Sequence, residues 1–397
     1  MVVVGADVHK RTHTFVAVDP VGRQVGQLRV EATGMGHAKA LAWARREFGA
    51  ELTWAVEDCR HLSARLERDL LGSGARVVRV PPKMMALVRA SARIRGKSDP
   101  IDARAVARAY LREPSLPVAC HDEVSRELRV LVDRRETLVA QRTATINSLL
   151  WRVHELDPEK APRPRTLDLV KHQQAPRVWL VTVPGVVAEM AVDELDDVIA
   201  LTTRINAMAR RIGALAEQAA PSLLSLPGSG PLTAAKLVGE TAGIRRFHSE
   251  AAFARHAGVA PIPVWSGNTA GRVRMTRAGN RQLNTALHRI AVTQIRLRSS
   301  AGRVYFEKKK IEGVRSRSPS LPQETLSSQV FGHLAADQRV PNPAGRSTDP
   351  RARPSGSGCF RPVLNSVARS RGQRLAEGQP EWLGLDVGED DTTLGTC

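Results

Sequence analysis

The stretch 1-MVVVGADVHKRTHTFVAVDPVGRQVGQLRVEA-32 decides the fold. "MVVVGADVH", "THTFVAVDP" and "GQLRVEA" are β-branched runs parted by turn residues, which predicts three consecutive strands. Downstream the pattern alternates: a helix over about 36–48, the strand "LTWAVED" at 52–58 and a helix near 61–72. The strand "ARVVRV" at 75–80 and helices over 82–92 and 100–112 complete it. Three strands with short connections, then strands alternating with helices, predict an α/β domain with a mixed sheet covered by helices.

The remaining sequence reads differently. Residues 125–156 carry apolar positions at 128, 131, 132, 138, 139, 146, 149 and 150, near coiled-coil spacing. A second long helix fits 192–219, with Leu195, Ile199, Ile205, Met208, Ile212 and Leu215 on one stripe. The two are joined across a Pro- and Lys-rich stretch, 157–177, and read as an antiparallel pair. Such a pair packs either against a copy in another subunit or into an intramolecular bundle. Helices around a Gly/Pro-rich loop follow over 222–312. From about 313 the apolar period fails, and 341–397, rich in Pro, Gly, Ser and Arg, reads as a disordered tail.

The 397 residues hold 59 Lys plus Arg against 40 Asp plus Glu, a formal charge of +19. That excess points to a polyanionic partner, nucleic acid before an anionic membrane surface. No segment reaches the roughly 18 apolar residues of a membrane span, and no signal peptide opens the chain, so the expected location is cytoplasmic. Cys59, Cys120, Cys359 and Cys397 form no CxxC pair, which argues against a zinc knuckle or a disulfide framework. At 4% aromatic residues, recognition is expected to lean on charge and shape.

Against this basic background four acids stand out. Asp7 ends the first strand and Glu57 the fourth, where α/β sheets bind ligands. Asp99 and Asp102 open a later helix around Pro100. Helix capping accounts for that last pair taken alone, with Ser98 or Asp99 as N-cap. Four carboxylates in one crevice, however, repel one another unless cations neutralise them, and Mg2+ (or Mn2+) with oxygen ligands is the natural solution. Two such ions suit phosphoryl transfer. Arg93, Arg95, Lys97 and Arg104 flank the pair and suit phosphates. A first-strand Asp followed by a hairpin also fits actin-like ATPases, but 52–113 lacks their second Gly-rich phosphate loop.

Two further stretches carry chemistry. Ser266 lies in the turn sequence "WSGN", followed by Arg272, Arg274, Arg277 and Arg281, with Asn280 and Asn284. Read alone it is a turn residue; with a proton acceptor from elsewhere it is a nucleophile whose phosphate the arginines hold. "LPGSGPLTAAKL" (226–237) resembles a helix-hairpin-helix, whose turn at Gly228 and Gly230 would face a nucleic-acid phosphate; a tight turn without ligand is the alternative.

"GADVHK", "WAVEDCR", "KSDPIDARAVA", "LPGSGPLTAAKL" and "HAGVAPIPVWSGNTAGRVRMTRAGNRQLNTALH" together resemble the IS110-type (DEDD) transposases, also described as bridge-RNA-guided recombinases, over about 1–312. The resemblance implies a RuvC-like (ribonuclease H-like) domain at 1–118 and a helical, coiled-coil-like oligomerisation region at 119–221. It implies a mostly α C-terminal transposase domain at 222–312. Asp7, Glu57, Asp99 and Asp102 would be the metal-binding tetrad, and Ser266 a nucleophile forming a transient phosphoserine link to DNA. A structured guide RNA and a homo-oligomer (dimer or tetramer), associated with the nucleoid, are likewise implied. The alternatives are a RuvC-like nuclease or junction resolvase using water, with Ser266 incidental, and an inactive nucleic-acid-binding remnant. One departure stands out. Where the family continues past "YFEKKKIEG" with a basic helix, this chain reads "VRSRSPSLPQET" (314–325), as if two compensating frameshifts had disrupted a helix over 313–340.

Overall fold

The structure, a computed structural model, describes residues 1–338 apart from 59–61, 91–97, 121, 276–278 and 313–319. Five strands form one sheet: β1 (Val2–Val8), β2 (Thr12–Val18), β3 (Gln24–Glu31), β4 (Leu52–Glu57) and β5 (Arg76–Val80). Their order is β3-β2-β1-β4-β5. The first three pair antiparallel, whereas β4 and β5 run parallel to β1. With its helices this is the mixed α/β sheet covered by helices that the N-terminal sequence predicts.

Period-two alternation sorts each strand between two cores. Val4, Ala6 and Val8 of β1 pack with Phe15, Trp54 and the helices α1 (Gly34–Phe48) and α2 (Ala64–Gly72). Val3, Val16, Ala55 and Val78 face the other way, onto α3 (Pro82–Ala90) and α4 (Asp99–Arg112). Gly5 lies directly beneath α4. A Cβ there would sit 2.0 Å from the Ala103 carbonyl oxygen and 2.7 Å from the Ala107 nitrogen, so the helix rests on bare strand backbone.

The first core also holds two stacked imidazoles. The His13 and His37 rings lie 5.2 Å apart at 17°, and His37 Nδ1 is 2.6 Å from Asp69 Oδ2. Burial, reinforced by His37, pushes the His13 imidazole down to about 4. The native state therefore holds His13 neutral where the unfolded chain would protonate it. Stability is expected to fall as pH drops from 6.5 towards about 4, by up to about 3 kcal/mol, and to level off below. Urea melts of His13→Phe should show a flatter profile across that window.

The middle region is α5 (Glu123–Leu156), α6 (Gln174–Leu180) and α7 (Val186–Ala219). Leu149 and Val153 of α5 meet Ala191 and Leu195 of α7 at one end. Leu128 and Val132 meet Ile212 and Ala216 at the other, so the helices run antiparallel within one chain. The joining segment packs on them through Leu167 and Leu180, and Asp168 pairs with buried Arg142 at 2.8 Å. The second helix begins at Val186 rather than 192 because Gly185, at φ 108°, turns the chain into it.

The C-terminal region comprises α8 (Pro221–Leu224), α9 (Pro231–Thr241), α10 (Glu250–His256), the ribbon β6 (Pro261–Pro263) and β7 (Val273–Met275), α11 (Arg281–Arg296), α12 (Ala301–Ile311) and α13 (Ser320–Asp337). Leu237, Phe253, Leu283, Leu287 and Ile290 form its core together with Leu326, Val330 and Leu334 of α13. The segment expected to carry a disrupted helix thus contains a helix of 18 residues. Pro322 falls in its first turn, where a missing amide hydrogen costs little, and Leu326, Val330 and Leu334 recur at helical spacing. Residues 313–319 and the expected disordered tail, 341–397, lie outside the described residues.

Candidate active site

Alternation along β1 puts Asp7 on the same face as Val3 and Gly5, the face that α4 covers. It is buried, with 7% exposed. Ala6 of β1 pairs with Val56 of β4 in parallel register, so the next positions, Asp7 and Glu57, stand abreast. Ala55 faces α4, and Glu57, two residues on, follows it. Adjacent strands lie about 4.8 Å apart, so the backbones of these two positions stand side by side at the carboxyl ends of parallel strands.

Helix α4 delivers the other pair. Ser98 takes the N-cap position with extended backbone (φ −158°) but makes no side-chain cap, and Pro100 occupies the first turn. The Asp99 side chain faces His9 instead. His9 Nε2 lies 3.1 Å from Asp7 Oδ2 and 3.5 Å from Asp99 Oδ1. One ligand atom from each of Asp7, His9 and Asp99 falls within 4.8 Å of the others. Asp102, one turn along, is 8% exposed and acts electrostatically on Asp7. Neither Glu57 nor Asp102 belongs to that tight trio.

Burial pushes the Asp7 carboxyl above its ordinary value; His9 pulls against this, while Asp102 and then Asp99 push it further up. A buried carboxylate repelled by two others fits a hard divalent cation. His9 went unassigned in the sequence reading although it stands in "GADVHK". Continuing the alternation two residues beyond Asp7 would have placed it on the same face. Arg104 is half-buried on α4, and Lys97 lies outside the described residues.

Ser266 sits at the tip of the β6–β7 ribbon. Ile262 pairs with Arg274 and Pro263 with Val273, and the Val264 amide donates to the Arg272 carbonyl at 2.9 Å. Ser266 is exposed. Its amide donates to Thr269 Oγ1 and its carbonyl accepts from that hydroxyl, both at 3.0 Å, which fixes the backbone of the tip. Arg272, Arg274 and Arg281 are exposed as well, and Arg277 lies outside the described residues.

The ribbon is clamped at its base. Gly258 and Gly279 cross so closely that a Cβ on Gly279 would lie 2.2 Å from the Gly258 nitrogen. Asn280 caps α11, accepting from the Gln282 and Leu283 amides, and donates to Glu240 Oε2 at 2.8 Å. Asn284 donates to the carbonyls of Ala257 and Gly258. The asparagines noted in the sequence therefore brace the loop.

At the helix-hairpin-helix turn, Gly230 caps α9 ahead of Pro231, and Gly228 takes φ 86°. A Cβ on Gly228 would meet the Ile290 carbonyl at 3.1 Å, while the Gln294 side chain donates to the Pro227 carbonyl at 2.9 Å. The turn is tied to α11, which accounts for the Gly228 conformation without a ligand.

Comparison with known proteins bears on both halves. A transposase model of the IS110 DEDD type matches residues 4–155, and a model for the transposase IS116/IS110/IS902 family matches 220–307. The chain is 26% identical over 386 residues to the insertion element IS116 uncharacterized 44.8 kDa protein of Streptomyces clavuligerus, covering 86% of this chain and 96% of that one. It is 28% identical over 350 residues to the insertion element IS900 uncharacterized 42 kDa protein of Mycobacterium paratuberculosis, with 75% and 86% covered. Among solved structures, Thermus thermophilus RuvC in complex with a Holliday junction substrate aligns with 30% of this chain and 99% of its own, at 17% identity and TM-score 0.24. No helix among the described residues is long and apolar enough to cross a membrane.

Proposed function

The chain belongs to the IS110 family of transposases, and from that premise we propose that it cuts and rejoins DNA through a carboxylate-held divalent cation and the Ser266 hydroxyl. The observation that carries this reading is the meeting of Asp7, His9 and Asp99, from opposite ends of the N-terminal domain, where β1 ends. Glu57 abreast of Asp7, and Asp102 within its electrostatic reach, supply the remaining acids. The first family match spans all four carboxylates and the second spans Ser266.

Asp7, Glu57, Asp99 and Asp102 would hold Mg2+, or Mn2+ in its place, which when bound stabilises the negative charge developing on phosphate oxygens. The protein's own groups do the rest. The Ser266 hydroxyl attacks phosphorus, forming an Oγ–P bond as the bond to one deoxyribose oxygen breaks. The serine proton leaves to a base, and the departing oxygen leaves protonated. A hydroxyl on a second strand then attacks the same phosphorus, restoring Ser266 and closing the new junction. Arg272, Arg274 and Arg281, exposed on the same region, suit the phosphates on either side. A structured guide RNA that selects the DNA, and a homo-oligomer that joins serine and carboxylates across subunits, complete the proposal. Both enter through the family alone; a basic chain poor in aromatic residues suits a protein that reads shape and phosphate.

Ser266→Ala separates this chemistry from hydrolysis. Strand transfer should fall by roughly a thousandfold or more, with DNA affinity unchanged in a filter-binding assay. Metal-dependent hydrolysis persisting at the parental rate in the variant would favour a nuclease that uses water.

A further inference from the structure

Trp265, the residue before Ser266, is 54% exposed although the chain holds few aromatic residues. Around it Ile262, Val264 and Val273 are also exposed, so an isolated two-stranded ribbon presents apolar side chains to solvent on both faces. Two-stranded ribbons have marginal stability alone, which marks this one as built to lie against something.

Charge identifies the occupant. From residue 251 to 306 there is no Asp or Glu, while arginine occurs nine times. A second copy of this ribbon would bring no acid to meet these arginines, with Arg274 opposite Ile262 and Arg272 beside Val264, whereas a polyanion complements them. An aromatic face framed by guanidinium groups is the composition that grips single-stranded nucleic acid. Trp265 and Ser266 are consecutive, with Cα atoms about 3.8 Å apart, and Ser266 is extended (φ −149°, ψ 141°). Their side chains therefore leave opposite faces of the chain: the indole is within reach of the nucleotide that adjoins whatever phosphate Ser266 reaches, not of that phosphate itself.

We propose that Trp265 stacks on an unpaired DNA base next to the phosphate that Ser266 attacks, holding that nucleotide out of the duplex. This rests on the reading of Ser266 above and adds a base-binding site to it. The stack is sequence-tolerant, because every base offers a π-face. Bases inside an intact duplex are closed to the indole, so the contact is selective for melted or broken DNA.

The test uses the full chain and one mixed-sequence DNA strand carrying 2-aminopurine, offered alone and as a blunt duplex. Trp265→Ala should weaken single-strand binding roughly tenfold and abolish the change in 2-aminopurine emission, with duplex binding altered less than about twofold. Trp265→Phe should retain most of both signals. Equal single-strand binding by Trp265→Ala and the parent overturns the proposal. So does an equal loss on strand and duplex, or a loss of self-association by sedimentation with DNA binding intact. Ser266→Ala should bind both probes as the parent does. If it also keeps full strand transfer, the serine chemistry fails while the stacking result stands independently.

Discussion

Asp7→Asn is expected to lower metal-dependent strand cleavage by roughly a thousandfold or more without unfolding the protein. Asp7 is the acid on which the others bear: His9 contacts it, Asp99 and Asp102 act on it from α4, and Glu57 occupies the adjacent position on β4. An amide keeps the shape but gives up the charge that draws a cation. The sign of the stability change makes the result diagnostic. Because burial and neighbouring acids raise the Asp7 carboxyl, ionising it costs the native state free energy. Removing the charge should leave the melting temperature at neutral pH unchanged or higher. Cleavage lost together with a lowered melting temperature would show that Asp7 serves the fold instead.

The second large effect concerns Gly5→Val. The new Cβ would lie 2.0 Å from the Ala103 carbonyl oxygen and 2.9 Å from the Ala107 methyl, with α4 backbone on one side and strand on the other. Neither can yield without α4 lifting from β1. A loss of about 3 kcal/mol or more in urea denaturation is expected. Activity should fall with it even where the protein remains folded, because the lifted helix carries Asp99 and Asp102 away from Asp7. Gly72→Ala is the matching control. Nothing lies within 4 Å of that added methyl, so stability should be unchanged or slightly raised.

Much of this was legible before any coordinates. The strands at 2–8, 12–18, 52–57 and 76–80 follow β-branched runs bounded by turns, and they fall where the sequence placed them to within two residues. Asp7 and Glu57 were readable because both end strands. Asp99 was readable beside a local competitor: Ser98-Asp99-Pro100 reads as a helix start, which it is, yet Ser98 makes no side-chain cap and Asp99 turns to His9. The β6–β7 ribbon was illegible because each strand has three residues and one of them holds two prolines, leaving no period to detect. Helix α13 was hidden by Pro319 and Pro322, although its apolar side chains at 326, 330 and 334 keep helical spacing.

The central claim is that acids far apart in sequence share one cation. Mn2+ binding followed by electron paramagnetic resonance tests it directly, comparing the parent protein with Asp99→Asn, Glu57→Gln and, as an unrelated surface acid, Glu47→Gln. The account predicts that the parent and Glu47→Gln bind Mn2+ alike, while the other two variants each lose roughly tenfold or more in affinity. Indistinguishable Mn2+ affinity across all four proteins would contradict it.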